Sequence, residues 1–237
     1  MKSILSFIFA SLTIFQLEAQ LFTKERVLNN ENFDKPLLSY GYYLGLNSYD
    51  FNIDYNSNVK DIQVIKSMGF NVGLIGNIRI NDYFDVRLEP GLVMSNRTLS
   101  YSGTYFEGLI YEEKDLEREI RSTYIHIPLL IKISTKRINN IKPFVVCGIS
   151  TALNLSSNQD NPEDNSQGNF RLVKNNLFYE LGIGVDLYLT WFKFTPSLRG
   201  IFSVRDEHIK DFDLNSPWTR NISQMQTRGI FVNFTFQ

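Results

Sequence analysis

Leu177-Phe178-Tyr179-Glu180-Leu181-Gly182-Ile183-Gly184-Val185-Asp186-Leu187-Tyr188-Leu189 is the stretch whose reading decides the fold. Successive side chains of a strand point to opposite faces. One face here carries Leu177, Tyr179, Leu181, Ile183, Val185, Leu187 and Leu189, and the other carries Phe178, Glu180, Gly182, Gly184, Asp186 and Tyr188. The glycines sit with the charges. A water-facing surface has no need of glycine, whereas the interior of a small barrel, only just wide enough for side chains, needs small residues beside large ones. The polar face is therefore the inside and the apolar face looks at lipid, the inverse of a soluble lipocalin-like barrel.

Outward from that stretch, the same period-2 alternation recurs at Leu38 to Asn47, Phe70 to Ile80, Phe84 to Tyr101, Arg121 to Ile133, Ile141 to Leu155, Phe192 to Val204 and Thr227 to Gln237. With Leu177 to Leu189 these make eight candidate strands. Most are long enough to cross a hydrocarbon layer when tilted. The connections alternate in length. They are long at Ser48 to Gly69, Ser102 to Ile120, Ser156 to Asn176 and Arg205 to Gln226, and short at Asn81 to Tyr83, Ser134 to Asn140 and Thr190-Trp191. An even number of strands with all short turns on one side predicts an all-β, antiparallel up-and-down transmembrane barrel. Its termini and short turns face the periplasm and its long loops face outward.

The first residues agree with that destination. Lys2, an apolar run from Ile4 to Leu17 and the close Glu18-Ala19-Gln20 read as a secretory signal peptide over residues 1–19. No Cys follows the cut, and the single cysteine, Cys147, has no partner for an intramolecular disulfide. Residues 20–37 mix charge with Phe22, Val27, Leu28 and Phe33, too polar for membrane and too apolar for a linker. They are expected as a periplasmic N-terminal segment, either a contact segment or a short cap under the barrel, ahead of a barrel domain at 38–237. A formal net charge of -1 removes the electrostatic case for nucleic acid. No later stretch is apolar for long enough to span a bilayer as a helix.

Alternation places Arg79, Arg87, Glu89, His126, Lys132, Glu180, Asp186 and Arg199 in a lumenal polar network, with Asn71, Gly73, Asn77, Arg97 and Lys193 also inward. In eight strands such charges pair and fill the interior rather than line a pore. Beside the short turns, Tyr83, Phe84, Phe144, Tyr188, Trp191 and Phe192 are expected as the aromatic girdle of one rim. Pro90, Pro128 and Pro196 fall within strands of a barrel that has no edge, so bulges are expected there. With two histidines, His126 and His208, the chain offers no triad or metal set. No enzyme activity, cofactor, metal site or small-molecule substrate is expected. The acidic run in Ser102 to Ile120 reads as solvated, and Asn158 to Gly168 as a mobile surface loop.

Asn32-Phe33-Asp34-Lys35-Pro36, Gly41-Tyr42-Tyr43-Leu44-Gly45-Leu46-Asn47 and Arg87-Leu88-Glu89-Pro90-Gly91-Leu92 resemble blocks of the PorT (SprT) family of Bacteroidetes. So do Ser122 to Lys132, Lys136 to Pro143 and Tyr179 to Asp186. The resemblance implies a non-catalytic outer-membrane component required for type IX protein secretion and gliding motility, whose partners are membrane lipid and other subunits of that machine. It transfers no mechanistic residue. The family blocks tolerate the strand prolines, whereas ending on Gln237 departs from the terminal aromatic usual for barrels. The alternative is a small outer-membrane pore or a ligand-binding barrel.

Overall fold

The computed structural model describes residues 28–57, 61–161, 163 and 165–237; the expected signal peptide and the start of the segment that follows it lie outside these. Ten strands are present: β1 (Leu38–Tyr55), β2 (Gln63–Lys66), β3 (Met68–Arg79), β4 (Phe84–Leu88), β5 (Gly91–Ser100), β6 (Glu117–Ser134), β7 (Ile141–Asn154), β8 (Asn175–Tyr188), β9 (Lys193–Ser203) and β10 (Ile222–Phe236). β2 continues into β3, and β4 into β5, each pair forming one interrupted wall strand. The ten elements therefore build an eight-stranded wall. It closes because β1 pairs on one side with β10, from Tyr42↔Phe236 to Tyr55↔Ile222, and on the other with β3, from Leu38↔Ile78 to Ser48↔Met68. Every pairing is antiparallel.

The expected bulges at proline are absent. Pro128 faces Ser150 on β7 and Pro196 faces Phe234 on β10 in uninterrupted register, and on the β8 side Gly184↔Ser197 and Leu187↔Phe194 flank Pro196 three residues apart, without a shift. Pro90 falls in the gap between β4 and β5, and the pairings on either side keep step: Leu88↔Leu129 and Gly91↔His126 are both three residues apart. Each ring position tolerates a missing N–H because the neighbours still close around it. The Pro90 carbonyl accepts from the Leu74 amide at 2.9 Å and the Pro128 carbonyl from the Glu89 amide at 3.2 Å. The ladder opens for a few residues without gaining one.

The loops are shorter than the alternation predicts, because β1 runs on to Tyr55, β6 starts at Glu117 and β10 starts at Ile222. These extensions invert the pattern of the wall. Along the lower part of β1 the outward Tyr42, Leu44 and Leu46 are exposed, while Asn47 faces in and is buried. Higher up, Tyr49 and Phe51 are buried on the inside, and Ser48, Asp50, Asn52 and Asp54 share the outer face. β6 and β10 change in the same place, with Ile120 and Met225 buried inside while Glu119, Arg121 and Arg228 share the outer face. An apolar wall suits lipid and a polar wall suits water, so the inversion marks where the barrel leaves the membrane. Above it, Phe51, Ile62, Leu99, Tyr101, Tyr105, Phe106, Ile120, Phe170, Leu172, Ile222 and Met225 form an apolar core that plugs the long-loop mouth.

Lower in the lumen, glycine makes room for rings. A side chain at Gly184 would run into the Phe144 ring, whereas one at Gly76 on the outer face would meet nothing within 4 Å. Gly184→Val is therefore expected to lower stability by about 1–3 kcal/mol through overpacking, read as a drop in the urea midpoint in micelles, while Gly76→Val leaves the midpoint in place. Equal effects at both positions would contradict the packed lumen.

Candidate functional site

The sequence-predicted polar network comes together inside the wall in tiers. In the middle tier Arg199, from β9, bridges two carboxylates, reaching Glu89 at 2.6 Å and Glu180 at 3.0 Å. Arg87 lies 3.3 Å from the other Glu89 oxygen and donates through Nε to Asn77 at 3.3 Å. His126 Nε2 stands 2.9 Å from Glu180. All of these residues are buried. One tier down, Lys132 pairs with Asp186, which also accepts from the Thr195 hydroxyl at 2.7 Å, and the Lys132 ammonium lies 4.2 Å from the centre of the Phe144 ring. Positive and negative groups alternate through both tiers, which is how ions taken out of water avoid an unpaired charge.

Arg79 departs from the network drawn from sequence. It is the last residue of β3, half-exposed at the short-turn mouth, and its guanidinium reaches past the strand end to Asp82. The predicted girdle also divides. Tyr83, Phe84, Trp191 and Phe192 are exposed on the outside, but Phe144 and Tyr188 are buried inside. Their height beside the short turns fits a rim; their strand parity, shared with Val146 and Asp186, turns them into the lumen.

Residues 28–37 fold as a cap beneath the barrel. Asn29 Nδ2 donates to the Tyr188 carbonyl at 3.1 Å and Asn30 Nδ2 to the Leu189 carbonyl at 3.0 Å. Arg137 returns the contact by donating to the Asn29 and Asn30 carbonyls, its guanidinium 3.8 Å from the centre of the Tyr188 ring. At the centre, Asp34 accepts from the Tyr188 hydroxyl and faces Lys142 at 3.5 Å and Lys193 at 3.8 Å. Phe33 packs edge-on against Tyr188, ring centres 6.4 Å apart. A cavity of about 10 Å³, the room one water needs, lies between this cap and Lys132, Asp186 and Lys193. Burial acts to raise the Asp34 pKa, but Lys193, the Tyr188 hydroxyl and Lys142 outweigh it, and the carboxyl titrates below the usual aspartate range.

Toward the long-loop mouth the lumen becomes aromatic, with Tyr49, Tyr124, Phe178 and Phe231 around Val93, Ala152 and Ile201. Arg97 is fully buried and has no carboxylate within ion-pair distance among the described residues; it donates to Thr227 Oγ1 at 3.0 Å and to Ser122 Oγ at 3.1 Å. Its guanidinium lies 3.8 Å from the centre of the Phe51 ring. The Thr227 hydroxyl in turn donates to Glu207 at 2.8 Å, so one hydroxyl couples the cation to the acid. Burial pushes the Glu207 carboxyl up, with Arg97 opposing, and burial lowers His208 next to it to about 4, leaving that imidazole neutral at pH 7. Within the loop expected as mobile, Asn165 is buried here and donates to Asp211 at 3.0 Å. The acidic run is exposed at Glu107, Glu112 and Glu113, but Tyr105 and Phe106 before it belong to the apolar core.

Comparison with known proteins bears on this architecture. The family model described as outer membrane protein beta-barrel domain matches residues 19–208. No curated protein matches the chain. Among solved structures, the chain is similar to Neisserial surface protein A (10% identity, TM-score 0.43, covering 84% of this chain and 97% of that one). It is also similar to the attachment invasion locus protein Ail of Yersinia pestis in complex with the heparin analogue sucrose octasulfate (9%, 0.38, 83% and 96%). A third is the N-terminal beta-barrel domain of Pseudomonas aeruginosa OprF (13%, 0.35, 82% and 97%). These likenesses are distant and carry no inference about function.

Two outcomes follow from the tiers. Arg199→Met strands Glu89 and Glu180 without a shared cation and is expected to cost about 3–5 kcal/mol, read as a lower urea midpoint; an unchanged midpoint would show that the carboxylates find another partner. For the cap, a native Asp34 pKa below its unfolded value means a contribution that is complete above about pH 4 and lost as pH falls through the native value. Amide exchange across residues 28–37, corrected for intrinsic rates, is expected to speed up on acidification while β7 and β8 stay protected. Asp34→Asn is expected to expose the cap at neutral pH. Equal protection of the cap at pH 3 and pH 7 would remove the carboxylate from its anchoring.

Proposed function

The chain belongs to the outer membrane protein beta-barrel domain family, and on that premise we propose that it is a non-enzymatic component of the type IX protein secretion machinery, acting by docking other subunits rather than by conducting solute. In this reading it is a PorT-type protein, with both termini and the capped short-turn end in the periplasm and the long loops outside the cell. The reading draws its family identity from the sequence blocks at 32–36, 41–47, 87–92, 122–132, 136–143 and 179–186.

One structural observation supports the mode of action. The lumen is filled, by paired charges in its lower tiers and by aromatic rings above them, and closed at both mouths, by the cap of residues 28–37 below and the apolar loop core above. A barrel filled in this way offers its partners its rims and its outer wall. The outer wall suits protein contacts because association within lipid rests on close packing and polar contacts rather than on hydrophobicity.

Deleting the gene and measuring export of type IX cargo, with porin abundance in the outer membrane as the control for envelope damage, tests the role. Lost export with normal porins is the expected result; normal export would sink the secretion role and leave the barrel standing. Purified protein in planar bilayers at neutral pH is expected to give no stable conductance. A stable open level would favour the pore alternative.

A further inference from the structure

The outer wall carries a second built feature, away from the lumen, where the apolar band ends below the long loops. Asp50 on β1 lies opposite Arg228 on β10, which in turn lies opposite Phe202 on β9. One Asp50 oxygen, Oδ2, receives Arg228 Nη2 at 2.9 Å, Arg228 Nε at 3.0 Å and Lys66 Nζ at 3.0 Å. The other accepts the Phe51 amide at 2.9 Å, which fixes the carboxylate to the backbone. One acid thus holds two cations side by side, and both cations remain about half exposed, at 50% for Lys66 and 51% for Arg228. The cluster keeps one positive charge in excess and several unused N–H donors.

The tier beneath is dented. Ile230 on β10 is flanked in register by Ser48 on β1 and Gly200 on β9, a large side chain between two small ones. Phe202 folds over Gly200 and stacks on Tyr179, ring centres 5.1 Å apart, forming one wall of the dent. The resulting groove holds about 320 Å³ and is lined by Ser48, Asp50, Lys66, Phe202, Arg228, Gly229 and Ile230. A groove of similar size at the same height, between Met68, Phe70, Met94 and Arg121, lacks the charge excess, because Arg121 is matched by Glu119 at 2.9 Å.

We propose that the Lys66–Arg228 groove is a binding site for a lipid with a phosphorylated headgroup, the phosphate held by the two cations and an acyl chain lying along Ile230 in the gap left by Ser48, against the Phe202 ring. Charge selects the headgroup: planar guanidinium and ammonium donors placed together suit phosphate oxygens, and Asp50 pre-arranges them before the lipid arrives. Position selects a lipid over a free ion, since the cations stand directly above an apolar dent on a wall that faces hydrocarbon. The site depends on the outer-membrane fold and not on the secretion role.

The test uses the full chain in phosphatidylcholine nanodiscs, with native mass spectrometry reading retention of added bisphosphorylated lipid A against its dephosphorylated form. Wild type is expected to retain the phosphorylated form selectively. The pair Lys66→Gln and Arg228→Gln is expected to lower retention about tenfold or more, one charge-assisted contact being worth that much. Ser48→Leu, which fills the dent and leaves the cations in place, is expected to weaken it as well; unchanged heat-shifted gel mobility certifies that each variant folds. Equal retention of both lipid forms by wild type, or full retention by the double variant, would overturn the proposal. Displacement of lipid A by millimolar inorganic phosphate, together with no effect of Ser48→Leu, would assign the cations to a free ion and overturn it too.

Discussion

Hydrocarbon offers a peptide group no hydrogen-bond partner, so a strand that enters it must be flanked on both sides, and a sheet that enters it must close. The pairing of β1 with both β10 and β3 is that closure, and most other features of the molecule descend from it. Closing with eight strands leaves a lumen about as wide as the side chains that point into it. Large rings then need a glycine opposite, as Phe144 has at Gly184. Polar groups need partners inside the lumen, which is why Arg199 is shared between Glu89 and Glu180 and Lys132 is matched by Asp186. The same closure explains the prolines: at Pro128 and Pro196 the register passes through unchanged because neighbouring pairs on both sides hold it.

Strand number, direction and facing were legible in the sequence because lipid on one side and a narrow interior on the other impose opposite demands on alternate residues. The glycine and charge face of 177–189 carries both demands at once, and β8 follows it with Glu180 and Asp186 buried and Leu181 and Ile183 exposed. The long-loop ends of β1, β6 and β10 were not legible, and the reason is physical. Above the membrane the outside is water and the inside is a small apolar core, so the polarity of the alternation reverses. Phe51, Ile120 and Met225 continue their strands inward while their neighbours turn polar. A search for apolar-outward alternation stops at the reversal and reads the remainder as loop.

The network was legible for similar reasons, since strand parity alone places Arg87, Glu89, His126, Lys132, Glu180, Asp186 and Arg199 inside. Parity also corrects the girdle, where nearness to a turn fixed only the height of Phe144 and Tyr188 and not the direction they face. The cap was half legible. Its mixed composition separated it from membrane and linker, but its anchors lie more than a hundred residues away, at Asn140, Lys142, Tyr188 and Lys193. Nothing local in Asn29, Asn30 or Asp34 announces those contacts.

The two closures differ in kind, and that difference bears on how the protein meets a partner. At the long-loop mouth the seal is an apolar core contributed by several loops, and opening it would expose rings such as Phe106, Tyr105 and Tyr101 to water together. Such a seal rests on apolar area kept from water rather than on paired charges. At the short-turn mouth the seal is polar: one carboxylate, two lysines, an arginine and a set of side-chain-to-backbone hydrogen bonds. Interactions of this type exchange readily for equivalent ones with water or another protein, because their net contribution is small against their gross strength. A protein that bound the short-turn face would therefore meet a surface whose contacts can be traded one for one, while the opposite mouth holds its shape.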